Sequence, residues 1–301
     1  MKNKTDKNRF MTLTTYRDAA DFLQATQAVL EKNEAANNRM LGICLRLKQF
    51  PESAKIAPYL ATVAAGEDLV LAAIMTPPHV LVIHSERPDY DEALTMLAQD
   101  LLENSWDVPG ASGPPPIAEK FAMLWTNVTG AKYKPGMRSR LYELRTVSPP
   151  QTAPGALRLA SENDLDLVAR WIGEFAAEAL PGGDMAKSRE SAAFRIAQRN
   201  VYLWENVQPV SMAATTRPTT NGIGISLVYT PPELRGKGYA SACVAALSQR
   251  LLDSGCKFCC LFTDRSNPTS NHIYQSIGYT PVADFNDFVF DGMIASPTPL
   301  F

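Results

Sequence analysis

The stretch Leu234-Arg235-Gly236-Lys237-Gly238-Tyr239-Ala240-Ser241 lies between an apolar, strand-like run (Ile223 to Tyr229) and an apolar, helix-like run (Ala242 to Leu252). Two glycines around a basic residue let consecutive backbone N–H groups turn inward, and a helix beginning there points the positive end of its dipole at the same spot. The chemistry of such a turn is anion binding, a phosphate above all, although glycines also punctuate ordinary strand-to-helix turns. Two better-known phosphate loops are excluded by spacing. There is no Gly-x-x-x-x-Gly-Lys-Ser/Thr, and Gly236-x-Gly238 lacks the third glycine of a dinucleotide fingerprint.

The elements that position this loop belong to a chain of 301 residues, 46% hydrophobic, which is long enough for two ordinary domains. A formal net charge of −2 and the lack of any basic run give no attraction to nucleic acid or to an anionic membrane. No stretch approaches a membrane span, and Met1 to Phe10 does not read as a secretory signal, so a cytoplasmic protein is expected. Cys256, Cys259 and Cys260 cluster in a run that otherwise reads as a buried strand, whereas Cys44 and Cys243 stand alone. His79, His84 and His272 show no ligand spacing with them, so buried structural thiols are expected, with no metal and no disulfide framework.

Periodicity and breakers predict helices over Tyr16 to Leu30, with Thr15 or Asp18 as cap, and over Ala36 to Lys48. Strands follow at Tyr59 to Ala64, Leu69 to Met75 and Val80 to Ile83, then a helix over Asp91 to Leu102. Pro109 to Pro116 should interrupt regular structure. A helix over Ile117 to Val128 and a last strand of this half, Met137 to Val147, come next. Pro149, Pro150, Pro154 and Gly155 read as a stiff connector, which places the domain boundary between 1–150 and 151–301.

The second half repeats the order. Leu157 to Leu159 is a short strand, Ser161 caps a helix to about Leu180, and a second helix runs from Ala186 to Arg199. Strands are expected at Val201 to Trp204, Pro209 to Thr215 and Ile223 to Tyr229. The helix after the glycine loop, a strand at Phe258 to Phe262, a helix over Asn267 to Ile277 and two final strands complete it. Leu69 to Pro78 resembles Pro209 to Pro218 in pattern and position, which suggests two copies of one fold, a shared element order by chance being the alternative. The first copy lacks the anion cradle: His84-Ser85-Glu86-Arg87-Pro88-Asp89 stands at the corresponding junction, with two acidic residues, a proline and no glycine.

Arg235, Gly238 and Ala240 fill an Arg/Gln-x-x-Gly-x-Gly/Ala pattern, and Asn267-Pro268-Thr269-Ser270-Asn271 is followed by Ile273-Tyr274-Gln275-Ser276-Ile277-Gly278-Tyr279. In both motifs, from about Ala156 onward, the chain resembles the GNAT superfamily of N-acetyltransferases. The resemblance implies an α/β fold with a mixed sheet, here as two tandem GNAT-like domains of which the first is a degenerate copy with a structural or substrate-shaping role. It implies that the backbone of Arg235, Gly236, Lys237, Gly238, Tyr239 and Ala240 binds the pyrophosphate of acetyl-coenzyme A, with the Arg235 and Lys237 side chains adding charge. It also implies that the preceding strand splays from its neighbour, so that Val228, Tyr229 and Thr230 offer free backbone to the pantetheine arm. Pro231-Pro232 cannot donate ladder bonds, which agrees with a strand ending there.

By the same resemblance Asn267 contacts the pantetheine arm, a role compatible with capping a helix, and Tyr274 protonates the departing sulfur, unless it is a core aromatic. No general base is legible. Glu205 is the first candidate, followed by Glu174 and Glu178, whose spacing puts both carboxylates on one helix face, and together with Asp184 these would favour a cationic acceptor. The expected activity is acyl transfer from acetyl-coenzyme A to an amine by direct attack, in a monomer or homodimer. A non-catalytic acyl-coenzyme A binding or sensing module is the alternative, and a nucleotide-binding protein is a second.

Overall fold

The computed structural model describes residues 10–150, 153–179 and 185–291. In chain order the elements are β1 (Met11–Thr15), α1 (Ala19–Leu30), α2 (Asn38–Gln49), β2 (Tyr59–Ala65), β3 (Asp68–Met75), β4 (Leu81–His84), α3 (Asp91–Glu103), β5 (Gly110–Gly113), α4 (Pro115–Thr129) and β6 (Tyr133–Leu144). There follow β7 (Ala156–Leu159), α5 (Leu165–Ala179), α6 (Met185–Ala197), β8 (Val201–Asn206), β9 (Gln208–Thr216), β10 (Gly222–Tyr229), α7 (Tyr239–Asp253), β11 (Phe258–Asp264), α8 (Pro268–Ser276) and β12 (Thr280–Phe290). No helix among the described residues is long and apolar enough to cross a membrane.

These elements form two compact units. The first takes the chain up to Lys32, Ile43–Met137 and the residues from Phe285; the second takes Asn33–Gly42 and Arg138–Asp284. Strand order in the first is β1-β2-β3-β4-β5-β12, and in the second β7-β8-β9-β10-β11-β6. Every pairing is antiparallel except one in each unit, β4 with β5 and β10 with β11. The two halves are therefore two copies of one mixed-sheet fold, with β3 and β9, the segments matched in sequence, third in each order.

The copies exchange their closing strands. The Ser139 to Leu144 part of β6 pairs with β11, and the Asn286 to Val289 part of β12 pairs with β5. The division expected at residue 150 thus differs from the structure, in which the strand assigned to the first half completes the second unit. A proline-rich connector marks where regular structure stops, whereas ladder partners are chosen by open strand edges and buried side chains, here Leu141, Tyr142 and Leu144.

Three further expectations change. Met11–Thr15 is a strand at one end of the first unit's order, and β12 is one strand where two were predicted. Inside the proline-rich run, Gly110–Gly113 is a fully buried strand. Its small residues are required, because a Cβ at Gly110 would lie 2.2 Å from the Phe288 carbonyl oxygen and one at Gly113 would lie 2.8 Å from that of Ile83. The prolines fall outside its ladder and start α4, where a missing N–H costs nothing. Caps match better. Asp18 accepts from the amides of Ala20 (2.8 Å) and Asp21 (3.0 Å), and Ser161 forms a capping box with Asp164.

His84, at the end of β4, is half-buried, and its Nε2 is buried without a hydrogen-bond partner. Burial pushes its pKa from 6.5 down to about 4, with Glu86 Oε1 4.0 Å away. The unfolded chain takes up this proton first, so stability falls as pH drops through 6.5 and stops falling, for this group, below about 4. Urea unfolding at pH 7 and pH 4.5 should show His84→Gln relieved of roughly 2 kcal/mol of the wild type's acid loss.

Candidate active site

Two features of the second unit meet at the C-terminal end of β10. The first is an open seam. β10 and β11 run parallel but pair only through Gly222, Ile223 and Gly224 with Phe258, Cys259 and Cys260. From Ile225 onward β10 has no partner on that side. On its other side the register with β9 slips between Ser226 and Tyr229, so that Leu227 and Val228 have no ladder partner. Leu227 has a φ of 50°, a conformation costly for a leucine and one that a bulge imposes.

The second feature is the loop after β10. Gly236 and Gly238 have φ of 76° and 78°, the left-handed region that favours glycine, and Gly238 caps α7 without any side-chain bond. The backbone N–H groups of Gly236, Lys237, Gly238, Tyr239 and Ala240 have no partner among the described residues. Five open amides at the start of a 15-residue helix are an anion cradle.

Arg235 does not stand free beside this cradle. Its Nε donates to the Thr230 carbonyl (2.9 Å), its Nη2 to both oxygens of Glu178 (2.7 and 2.8 Å), and its guanidinium lies 5.7 Å from the Tyr229 ring centroid. The Tyr229 carbonyl accepts from the Ser211 hydroxyl (3.0 Å), and Ser211 and Thr230 hydroxyls are 2.9 Å apart. The Tyr229 and Thr230 carbonyls thus each already accept one hydrogen bond, while Val228 has no ladder partner. Burial, then a hydrogen bond to Glu174, pushes the Tyr229 phenol up to about 12. Glu174 and Glu178 do share one face of α5, and that face lies over the end of β10. Asp184 lies outside the described residues.

Tyr274 on α8 is buried against α7 in a cluster with Tyr239, Cys243 and Tyr279, its ring edge-on to Tyr279 at 6.0 Å. Burial, with the Cys243 thiol nearby as a smaller cause, raises its pKa well above 10, so the phenol keeps its proton at neutral pH. Its hydroxyl has no hydrogen-bond partner among the described residues. Asn267 is the N-cap of α8, its side-chain oxygen accepting from the Ser270 amide (3.0 Å). The Tyr239 side chain is buried and its hydroxyl accepts from Asn206 (3.1 Å), which ties β8 to the first turn of α7. Lys237 is exposed.

Glu205 is not brought to the seam as an open carboxylate. The Arg158 guanidinium of β7 holds it and also chelates Asp164 (2.8 and 2.9 Å), whose pKa this pairing lowers to about 2. Cys44, Cys243, Cys259 and Cys260 are buried free thiols and Cys256 is half-buried. Burial pushes Cys243, Cys259 and Cys260 up to about 12, far from the reactive range.

At the matching junction of the first unit β4 pairs with β5 through Leu81 with Ala111 and Val82 with Ser112, and both strands end within two residues of that ladder. The approach of Gly113 to Ile83 keeps β4 against β5. Ser85 donates to the Val70 carbonyl (2.6 Å), and Arg87 is spent on Asp89 (2.8 and 2.5 Å). The residues missed from sequence are Leu227, whose bulge no residue type announces, and Ser211, hidden as one small residue in an apolar strand.

Residues 205–287 match the family described as FR47-like protein, which spans the seam, the loop and α8. No curated protein matches the chain. Solved structures do. A GNAT-family acetyltransferase from Colwellia psychrerythraea is 15% identical, with 93% of this chain and 100% of that one covered and a TM-score of 0.54. A GCN5-related N-acetyltransferase from Sphaerobacter thermophilus is 14% identical over 92% and 94%, with a TM-score of 0.60. A tandem GNAT protein from the clavulanic acid biosynthesis pathway is 13% identical over 93% and 98%, with a TM-score of 0.56. At these identities the likeness is one of fold, and the fold is that of a tandem GNAT protein.

Proposed function

We propose that this chain, a GNAT-superfamily protein by its motifs and its fold, moves an acetyl group from acetyl-coenzyme A to an amine by direct attack at the open seam of the second unit. The observation that carries the reading is the parting of β10 from β11 beside a loop of five unpaired amides. The pyrophosphate suits the amides of Gly236 to Ala240 and the dipole of α7, and a pantetheine arm, which carries amides of its own, suits the unpaired backbone at Leu227 and Val228. Bound there, the donor supplies a thioester carbon open to a nucleophile. Lys237 adds charge at the cradle, while Arg235 holds the loop to α5 through Glu178.

The residues then divide the proton work. The amine nitrogen forms the new N–C bond as the C–S bond breaks. Its proton passes to the carboxylate of Glu174 at the end of β10, whereas Glu178 would first have to leave Arg235 and Glu205 to leave Arg158. Tyr274, kept protonated by burial, gives its proton to the departing thiolate. Asn267 acts by capping α8 and so setting the angle at which Tyr274 is presented.

Calorimetry with acetyl-coenzyme A, followed by thiol release across a panel of amines, tests the reading. No binding would sink it, and binding without thiol release would support the non-catalytic alternative. Tyr274→Phe should lower kcat by roughly 100-fold while leaving the donor Kd unchanged. Full turnover in that variant would remove Tyr274 as the acid.

A further inference from the structure

We propose that the acceptor amine is recognised on the α5-facing side of β10 by the Ser226 hydroxyl, with Asn38 Oδ1 beside it as a second hydrogen-bond acceptor. This rests on the acyl-transfer reading and names the class of acceptor. Ser226 is two residues past Gly224, the last residue of β10 paired with β11, and one residue before the Leu227 bulge. It is 6% exposed, and its Oγ has no hydrogen-bond partner.

Asn38, at the start of α2, belongs to the second unit and is fully buried. Its Nδ2 donates to the Arg217 carbonyl (2.9 Å), but its Oδ1 has no partner and lies 3.4 Å from where a Cβ on Gly224 would stand. Gly224 and Ser226 share a strand face and are about 6.6 Å apart along it. Trp171 Nε1 on α5 is a third buried polar atom without a partner, its ring 6.3 Å from that of Tyr229 on the same face.

Folded proteins leave few such groups unpaired, because each loses its water and gains nothing. Several of them on one face, where the strands part, are explained together if a ligand supplies the missing bonds. Asn38 Oδ1 can only accept and Trp171 Nε1 can only donate, while Ser226 can do both. The ligand that satisfies this set has its amine N–H on Ser226, a second N–H or O–H on Asn38, and an acceptor oxygen for Trp171 Nε1. The class is a primary amine with a neighbouring amide or hydroxyl, not a plain alkylamine.

The test uses the full chain, acetyl-coenzyme A and three probe amines: glycinamide, ethanolamine and n-propylamine. Wild type is expected to turn over the two polar amines with the higher kcat/KM. Ser226→Ala, and Ser226→Cys as a near-isosteric second variant, should each lose about tenfold on all three probes, because each carries the amine N–H that Ser226 receives. Donor Kd should stay unchanged, and the Ser226→Ala melting temperature should hold or rise, since an unpaired hydroxyl is removed. A preference of wild type for n-propylamine, polar-amine turnover within twofold of wild type in both variants, or a fall in melting temperature that marks a structural hydroxyl would overturn the proposal. Donor binding with no thiol release from any probe would overturn it as well while leaving the donor site standing, whereas absence of donor binding would overturn the acyl-transfer reading itself.

Discussion

Gly238→Asp should abolish acetyl-coenzyme A binding, with a rise in Kd on the order of 100-fold or more, while Gly238→Asn keeps most of it. The pair separates charge from shape. At φ 78° any side chain is strained, but Asn and Asp tolerate this region better than other residues, and both should cost about 1 kcal/mol of stability. Space is not the obstacle, because a Cβ here meets only the Ala153 Cβ at 3.7 Å, an ordinary contact. What differs is a carboxylate set among amides that otherwise face a pyrophosphate. Calorimetry on both variants decides it, and equal loss in the two would mean that backbone strain, not the anion, governs the loop.

Cutting the chain at its proline connector should destroy both fragments. Residues 151–301 lack β6, which leaves Cys259 to Asp264 of β11 without its antiparallel partner and removes the buried Leu141, Tyr142 and Leu144. At about 2 kcal/mol for each such side chain, the loss approaches the whole stability of an ordinary domain. Residues 1–150 likewise lose β12 from beside β5, together with Phe288 and Phe290 from the first core. Each fragment alone should show no cooperative thermal transition by circular dichroism, and co-expression should restore a complex that melts as one. A soluble 151–301 fragment with a sharp melt would show that β6 is dispensable.

Much of the fold was legible because its signals are local. Asp18, Ser161 and Gly130 announced their helix ends through side-chain capping or left-handed backbone, and the likeness in pattern and position of Leu69 to Pro78 and Pro209 to Pro218 exposed the repeat. β5 was not legible. Gly-Ala-Ser-Gly has no strand propensity, and only the close approach of Phe288 and Ile83 makes it one. At the site, the glycine loop and Tyr274 could be named from residue types. Glu205 looked equally available until Arg158 was seen to hold it, and Arg235 looked like a phosphate ligand until Glu178 and Thr230 were seen to hold that one.

The sequence alone pointed to where an anion could be cradled, since glycine accepts the left-handed turns at 236 and 238 at least cost and that preference needs no distant partner. It also pointed to the second copy over the first, because the junction after His84 has no glycine. Only the tertiary structure decided which strands close each unit, where β10 leaves β11, and which carboxylates remain open to an amine. Those outcomes depend on contacts between residues distant in the chain, Leu141 with Phe262, Gly224 with Cys260 or Arg158 with Glu205, and no local preference encodes them.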